Sequence, residues 1–502
     1  VENMKMPIET ALKTGKIVEG TICYTGDITD PNETKYTLDY YVKKAKELES
    51  LGVHIFTIKD MAGLVKPYAA KKLISALKEE LNIPVNLHTH DSTGNGVSTL
   101  LMASEAGLDI ADCAIGSMSS MTSNPCMNSL VEALKGTERD TGLNPDELTE
   151  LSQYYARIRP IYKQFESGMD APNTEIYKYE IPGGQYSNLL AQVKEMGAAE
   201  DFEEIKGLYK DANQLLGNIV KVTPSSKVVG DFAIFMFKNG LTKENILEVG
   251  KDLSYPDSVV EYFEGMIGQP EGGFPEELQK IVLKDKKPID VRPGSLLPDE
   301  DFDYIAKGLK ENFYTENMED PDVLSQKTLS YALYPKVYED YCRHFEAYND
   351  VTGLESHVYF YGLRKGEETT LKLDEGKYLI IKFIDMTEPD EDGYRLLDFE
   401  VNGSIREIKV LDKNLEVKTD RRVKADKSNP AHLGSTIPGT VGKVLVNEGD
   451  EVTVNMPLMT VEAMKMETTV VSTVNGKVDK IYVKEGEQVN QEDLLISFEI
   501  DE

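Results

Sequence analysis

His88 and His90 stand two residues apart in Asn86-Leu87-His88-Thr89-His90-Asp91, on a run that reads as a β-strand. Side chains two apart on a strand point to one face, and an imidazole pair at a strand end suits Zn²⁺ or Mn²⁺. Lys59, in Thr57-Ile58-Lys59-Asp60-Met61, ends the preceding strand and faces the same space. A lysine buried there must shed its charge or find a counter-charge. Three fates are open: a salt bridge, which the residues alone rank first, a Schiff base, or reaction of the neutral amine with CO2 to give a carbamate that ligates the metal. Lys465, in Val461-Glu462-Ala463-Met464-Lys465-Met466-Glu467, lies between two copies of a repeat, where a hairpin turn would leave its amine exposed. The plainer alternative is a surface lysine between two packing methionines. Thr223-Pro224 precedes a helical run and reads as an N-cap with proline at the first helical position, which puts Ser226 and Lys227 in the first turn. Asp91-Ser92-Thr93-Gly94-Asn95-Gly96 joins a strand to a helix but lacks a third glycine and any Gly-Lys-Ser/Thr, so it reads as a tight turn and not a phosphate loop.

The elements that must hold these residues alternate. Apolar β-branched runs at residues 17–24, 53–59, 84–90 and 108–115 predict buried strands, and residues 37–51 and 67–81 show helical spacing between them. That βα repeat predicts a parallel sheet with the site at the carboxyl ends of its strands. Four such strands make half of an eight-stranded barrel. Residues 1–15 open as a helix, so the earlier strands are expected to be missing from the chain; the alternative is a small open sheet with its edges covered by later helices. The fold class expected is therefore multidomain α/β plus β. An incomplete TIM (β/α)8 barrel of later strands only spans residues 1–135, a helical extension 136–344, a small α+β domain 345–424, a charged linker 425–433, and a flattened β-sandwich 434–502. The sandwich follows from an internal repeat: Gly439, Val441, Glu448, Gly449, Leu458 and Glu462 recur at Gly476, Val478, Glu485, Gly486, Leu495 and Glu499 in one register (486 − 449 = 37).

With 502 residues the chain is long enough for roughly three domains. Its 55 Lys and Arg against 87 Asp and Glu give a net charge of −32, which argues against nucleic acid or anionic membrane as partners. Four scattered cysteines with no CxxC pair fit reduced thiols, hence a cytoplasmic location, and no run is long and apolar enough to span a bilayer.

Flanked by the two half-repeats, Ala463-Met464-Lys465-Met466 resembles the biotinyl carrier motif of biotin-dependent carboxylases; the related lipoyl domains share the sandwich but usually lack the methionines. The segments Ile58-Lys59-Asp60-Met61-Ala62-Gly63-Leu64, Leu87-His88-Thr89-His90-Asp91, Pro182-Gly183-Gly184-Gln185-Tyr186-Ser187-Asn188 and Val222-Thr223-Pro224-Ser225-Ser226-Lys227 resemble the carboxyltransferase region of the pyruvate carboxylase family, and the similarity covers essentially the whole chain. The resemblance implies that biotin is bonded to Lys465 and that a carbamylated Lys59, His88 and His90 bind a divalent metal. A fourth ligand, an aspartate, and a pyruvate-binding arginine are expected in strands outside the chain. It further implies that Thr223 shuttles a proton between biotin and pyruvate, that Lys59 serves catalysis, and that Ser226 and Lys227 stand near the incoming carboxybiotin. The metal would polarise pyruvate and stabilise its enolate, which takes the carboxyl group to give oxaloacetate. Tethering by the linker keeps biotin at an effective concentration on the order of millimolar. The implied partners are a biotin ligase, a biotin carboxylase domain that handles ATP and bicarbonate, and further copies in a homotetramer; residues 345–423 match a region tied to assembly and acetyl-CoA regulation. No ATP-grasp or P-loop segment is visible, so the chain alone is expected not to carboxylate pyruvate. Two alternatives stand beside this reading: the α subunit of an oxaloacetate decarboxylase or a transcarboxylase subunit, and a non-catalytic biotin carrier and assembly module.

Overall fold

A computed structural model describes the chain apart from residues 167, 314–316, 391–392, 413–422, 427–428, 464–465 and 501–502. It divides into two compact units, one made of residues 1–295 and 422–502, the other of residues 296–421.

The first unit begins with helix α1 (Glu2–Leu12) and continues as a βα alternation: β1 (Glu19–Cys23), α2 (Leu38–Ser50), β2 (Ile55–Asp60), α3 (Pro67–Glu80), β3 (Val85–Thr89), α4 (Gly96–Glu105) and β4 (Ile110–Ala111). The four strands are parallel and ordered β1-β2-β3-β4. Local chemistry sets the helix starts. The Thr37 side chain accepts from Tyr40 N–H ahead of α2, and Pro67 opens α3, where its missing N–H costs nothing. Tyr41, Ala45 and Leu48 of α2, and Leu73, Ile74 and Leu77 of α3, fall at helical spacing on buried faces, and with Phe56, Ile58 and Leu87 of the sheet they belong to one core. The fourth strand is much shorter than the run at 108–115 predicts. Asp109 and Asp112 interrupt it: Asp109 accepts from Val85 N–H and pairs with Lys78, while Asp112 turns to His88.

Helices α5 (Met127–Leu134) and α6 (Pro145–Ile158) follow, then α7 (Ile176–Tyr179), α8 (Gly183–Glu195), α9 (Phe202–Leu215), α10 (Ser225–Lys238), α11 (Ile246–Val249), α12 (Asp257–Glu264) and α13 (Glu276–Leu283). Leu189, Tyr209, Phe232 and Phe263 are fully buried in their shared core. Helix α8 starts at Gly183, with Pro182 at its cap position. Gly230 of α10 is where α8 crosses: a Cβ there would strike the Gln185 side chain.

The carrier region shares this unit. Strands β9 (His432–Gly434), β10 (Gly439–Val444), β11 (Glu451–Val452), β12 (Pro457–Ala463), β13 (Met466–Val471), β14 (Gly476–Ile481), β15 (Gln488–Val489) and β16 (Leu494–Ile500) form two four-stranded sheets, ordered β13-β12-β10-β15 and β11-β14-β16-β9. Adding the repeat offset (476 − 439) to β10, β11 and β12 gives β14, β15 and β16, so each sheet is the other's image. The shared core obeys the same operation, with Val441, Leu458 and Val461 opposite Val478, Leu495 and Phe498. Neither copy alone could bury those residues.

The second unit holds α14 (Phe302–Asn312), α15 (Pro321–Leu333), α16 (Pro335–Tyr348) and α17 (Ser356–Tyr361), then an antiparallel meander of β5 (Glu368–Asp374), β6 (Lys377–Met386), β7 (Tyr394–Val401) and β8 (Ser404–Leu411). Residues 402 and 403 form a two-residue hairpin turn: Asn402 and Gly403 have φ of 49° and 80°, the left-handed pair that matches strand twist.

Candidate functional site

Parallel pairing aligns Cys23 with Lys59 and Lys59 with His88 across β1, β2 and β3. Paired residues share a face, so the three side chains form one row near the carboxyl ends of the strands. His90 lies one residue past the end of β3, and its ring stands 5.5 Å from that of His88, edge to face. The site thus brings together the three residues expected to bind metal. Lys59 is half-buried and makes no ion pair among the described residues, which corrects the ranking of a salt bridge as its first fate. The reason is local. Asp60, the adjacent carboxylate, lies on the opposite face, fully buried and committed to the amides of Leu64 and Val65 and the Thr89 hydroxyl, at 2.8, 2.9 and 2.8 Å. Burial pushes the Asp60 carboxyl above its usual range, and those hydrogen bonds oppose the shift.

Both imidazoles are anchored from behind. His88 Nδ1 is 2.8 Å from Asp112 Oδ2, and His90 Nδ1 is 2.6 Å from the Thr122 carbonyl oxygen. Burial holds the His90 imidazole below its usual value, with His88 and Lys59 adding to that and the Thr122 hydrogen bond opposing it. The Thr122 carbonyl is aimed by a loop that sequence reasoning missed. Ser120 and Met121 are consecutive non-glycine residues in the left-handed region, at φ 72° and 53°. Three hydrogen bonds pin the loop: Ser120 N–H to the Asn124 carbonyl, the Ser92 hydroxyl to the Met121 carbonyl, and the Asn124 amide to the Thr89 carbonyl, each 2.9 Å. The Ser-Ser-Met-Thr-Ser-Asn-Pro composition at 119–125 marks a turn but gives no hint of its partner.

Two glycines let backbone close over His90. Gly63, at φ +71°, would place a Cβ 2.6 Å from the His90 carbonyl oxygen, and a Cβ on Gly183 would come within 3.3 Å of its Nδ1. Gly183 N–H also donates to the Met61 carbonyl at 3.0 Å, fastening the start of α8 to the segment after β2. The Asp91–Gly96 segment is the tight turn expected, with Gly96 N–H donating to Asp91 Oδ1 at 2.8 Å.

The Thr223 region differs from expectation. Thr223 is exposed and does not cap α10; Pro224 occupies the cap position without a side-chain bond. Ser225 Oγ lies 2.6 Å from the carbonyl oxygens of both Val220 and Val222, so its hydroxyl bonds back along the turn and no side chain caps the helix. Ser226 is buried in the first turn, and Lys227 pairs with buried Asp231 at 2.6 Å, which also accepts from Ser258 of α12 at 2.6 Å. Two residues before Thr223, Lys221 is 1% exposed; its Nζ lies 2.7 Å from Glu180 Oε2 and 3.3 Å from Thr25 Oγ1, just past β1. This ion pair, which no sequence pattern announced, ties the Thr223 segment to the same end of the sheet. Lys465 lies outside the described residues. The β12–β13 hairpin pairs up to Ala463 opposite Met466, and β13 runs beside α12.

A metal fits the arrangement in part. Among the described residues His88 and His90 use only Nδ1 and Lys59 makes no ion pair, and Lys59 stands in register with His88. Among the described residues no three His, Cys, Asp or Glu side chains converge as a metal cage, so the histidine pair needs Lys59 or a further group to complete a site.

A parallel sheet bearing a histidine pair and a two-fold β-sandwich are the two kinds of domain that biotin-dependent carboxylases combine. Family models agree: an HMGL-like domain matches residues 20–154, a conserved carboxylase domain 176–382, and a biotin-requiring enzyme domain 430–498. Pyruvate carboxylase of Bacillus subtilis is 48% identical over 99% of this chain and 43% of its own length, and that of Staphylococcus aureus 46% identical over 99% and 43%. The carboxyl transferase domain of Rhizobium etli pyruvate carboxylase is similar over 82% of this chain and 68% of its own, with 42% identity and a TM-score of 0.76; it has also been solved with pyruvate and biocytin. The chain belongs to the pyruvate carboxylase family. It spans less than half the length of the curated relatives it matches.

Proposed function

We propose that this chain contributes the carrier and the transfer site of an enzyme that moves a carboxyl group from biotin on Lys465 to pyruvate, giving oxaloacetate, and that it does not carboxylate pyruvate by itself. The observation that carries this reading is the row of Lys59 and His88 with adjacent His90, at the carboxyl ends of parallel strands, where β/α barrels keep their sites. In this reading residues 1–135 are the later half of a TIM barrel, 136–344 its helical extension, 345–424 an assembly and regulatory domain, 425–433 a linker and 434–502 the carrier. Carbamylated Lys59, His88 and His90 would hold Zn²⁺ or Mn²⁺, which supplies a Lewis acid for the pyruvate carbonyl. Thr223, uncommitted to the helix cap, has its hydroxyl available to accept the methyl proton of pyruvate on its way to biotin. Ser226 and Lys227 would line the approach of the carrier, whose β13 lies beside α12, and α12 holds Ser258 against the Lys227–Asp231 pair. The carrier would be loaded by a biotin ligase and carboxylated by an ATP-dependent biotin carboxylase domain, within a cytoplasmic homotetramer.

The site is tested by the relaxation of pyruvate methyl protons with Mn²⁺. Relaxation is expected to quicken with the chain present, and the gain to vanish in His88→Ala/His90→Ala. No gain in a native chain that binds Mn²⁺ would contradict pyruvate binding by these residues, and a native chain that binds no Mn²⁺ would contradict the metal site and favour a carrier-only role.

A further inference from the structure

We propose that Asp112 and the Thr122 carbonyl are the positioning groups of the histidine pair: they hold both rings in the Nδ1–H form and leave Nε2 of each as the lone-pair atom. This rests on the reading of the pair as a metal site, and it adds what selects the ligand atoms.

A backbone carbonyl has no proton to give, so at 2.6 Å from Thr122 oxygen the His90 Nδ1 must be the donor. The same logic applies to His88. Its Nδ1 lies 2.8 Å from a carboxylate, which at neutral pH only accepts. With one proton per neutral ring, both Nε2 atoms are then bare. Among the described residues neither Nε2 has a hydrogen-bond partner, so nothing on the protein side uses the two lone pairs.

The supports are themselves held. The Asn86 amide approaches the second Asp112 oxygen at 3.4 Å from the same strand as His88, and Asp112 follows β4 immediately, so strand pairing sets where the carboxylate stands. Thr122 follows the two left-handed residues Ser120 and Met121, a strained backbone state that the pinned loop sustains. Of the two supports only Asp112 is a side chain, hence removable. Outer groups of this kind fix the ring and raise its basicity, and their loss typically weakens metal binding ten- to a hundredfold.

The test uses the whole chain labelled with ¹⁵N-histidine, near pH 8, where an ordinary imidazole is neutral. The His88 signal is identified by its loss in His88→Gln. The wild-type ring is expected in the Nδ1–H form, and in Asp112→Ala it should shift toward Nε2–H. Titration with Mn²⁺ should show affinity lowered ten- to a hundredfold in Asp112→Ala and less in Asp112→Asn, which keeps an acceptor oxygen. A thermal midpoint within a few degrees of wild type separates this from misfolding. Finding His88 as Nε2–H in the wild-type chain, or an Asp112→Ala affinity within twofold of wild type, overturns the positioning role. A wild-type chain that binds no Mn²⁺ overturns the metal reading instead, and the ring's protonation still decides the role of Asp112.

Discussion

Replacing Lys221 with methionine is expected to destabilise the first unit by about 3 kcal/mol, seen as a lower urea midpoint. The Lys221 ammonium is among the most deeply buried charges of the chain, and it joins three distant pieces: Thr25 after β1, Glu180 before α8, and the segment that leads to Thr223. Methionine has a similar shape, so little packing volume is lost. The main loss is the counter-charge of Glu180. Because the Glu180 side chain is 29% exposed, water can take up part of its charge, which keeps the loss near the low end for a broken buried pair. Adding Glu180→Gln should then recover a good part of the stability, since the uncompensated charge is gone. An unchanged midpoint in Lys221→Met would mean the pair contributes nothing net.

Gly439→Ala and Gly476→Ala are each expected to cost the carrier sandwich about 2 kcal/mol or more. A Cβ at Gly439 would stand 2.5 Å from the Glu462 carbonyl oxygen, and one at Gly476 would run into the Glu499 carbonyl. These obstacles are backbone atoms of the paired strands β12 and β16, so no side chain can swing aside. The two glycines and the two glutamates are equivalent positions of the repeat. Similar losses at both sites are therefore expected, read as faster proteolysis within residues 430–500; a neutral result at either would show that the strands can part cheaply.

Much of this was legible in the sequence because it rests on period. The 37-residue repeat specified the paired sheets of the carrier down to the match of Val441 with Val478. Alternating apolar runs located β1, β2 and β3, and the two-residue spacing of His88 and His90 put them beside Lys59. What was illegible depends on contacts between distant segments. Glu180 reaches Lys221 and Thr122 reaches His90 only once the helices and loops are folded, and neither contact leaves a periodic trace. Thr-Pro before a helix is a good local signal for a cap at Thr223, yet the helix starts one residue later and Pro224, which has no side-chain acceptor, holds the cap position. Asp109 and Asp112 looked like part of a strand, yet their carboxylates serve Val85, Lys78 and His88, and the strand ends early.

The central claim is that this chain carries biotin on Lys465, and the intact mass after co-expression with a biotin ligase tests it most directly. A gain of about 226 Da on the native chain and none on Lys465→Arg is the result expected for one covalent biotin. An unmodified native chain, or the same gain on the variant, would contradict it.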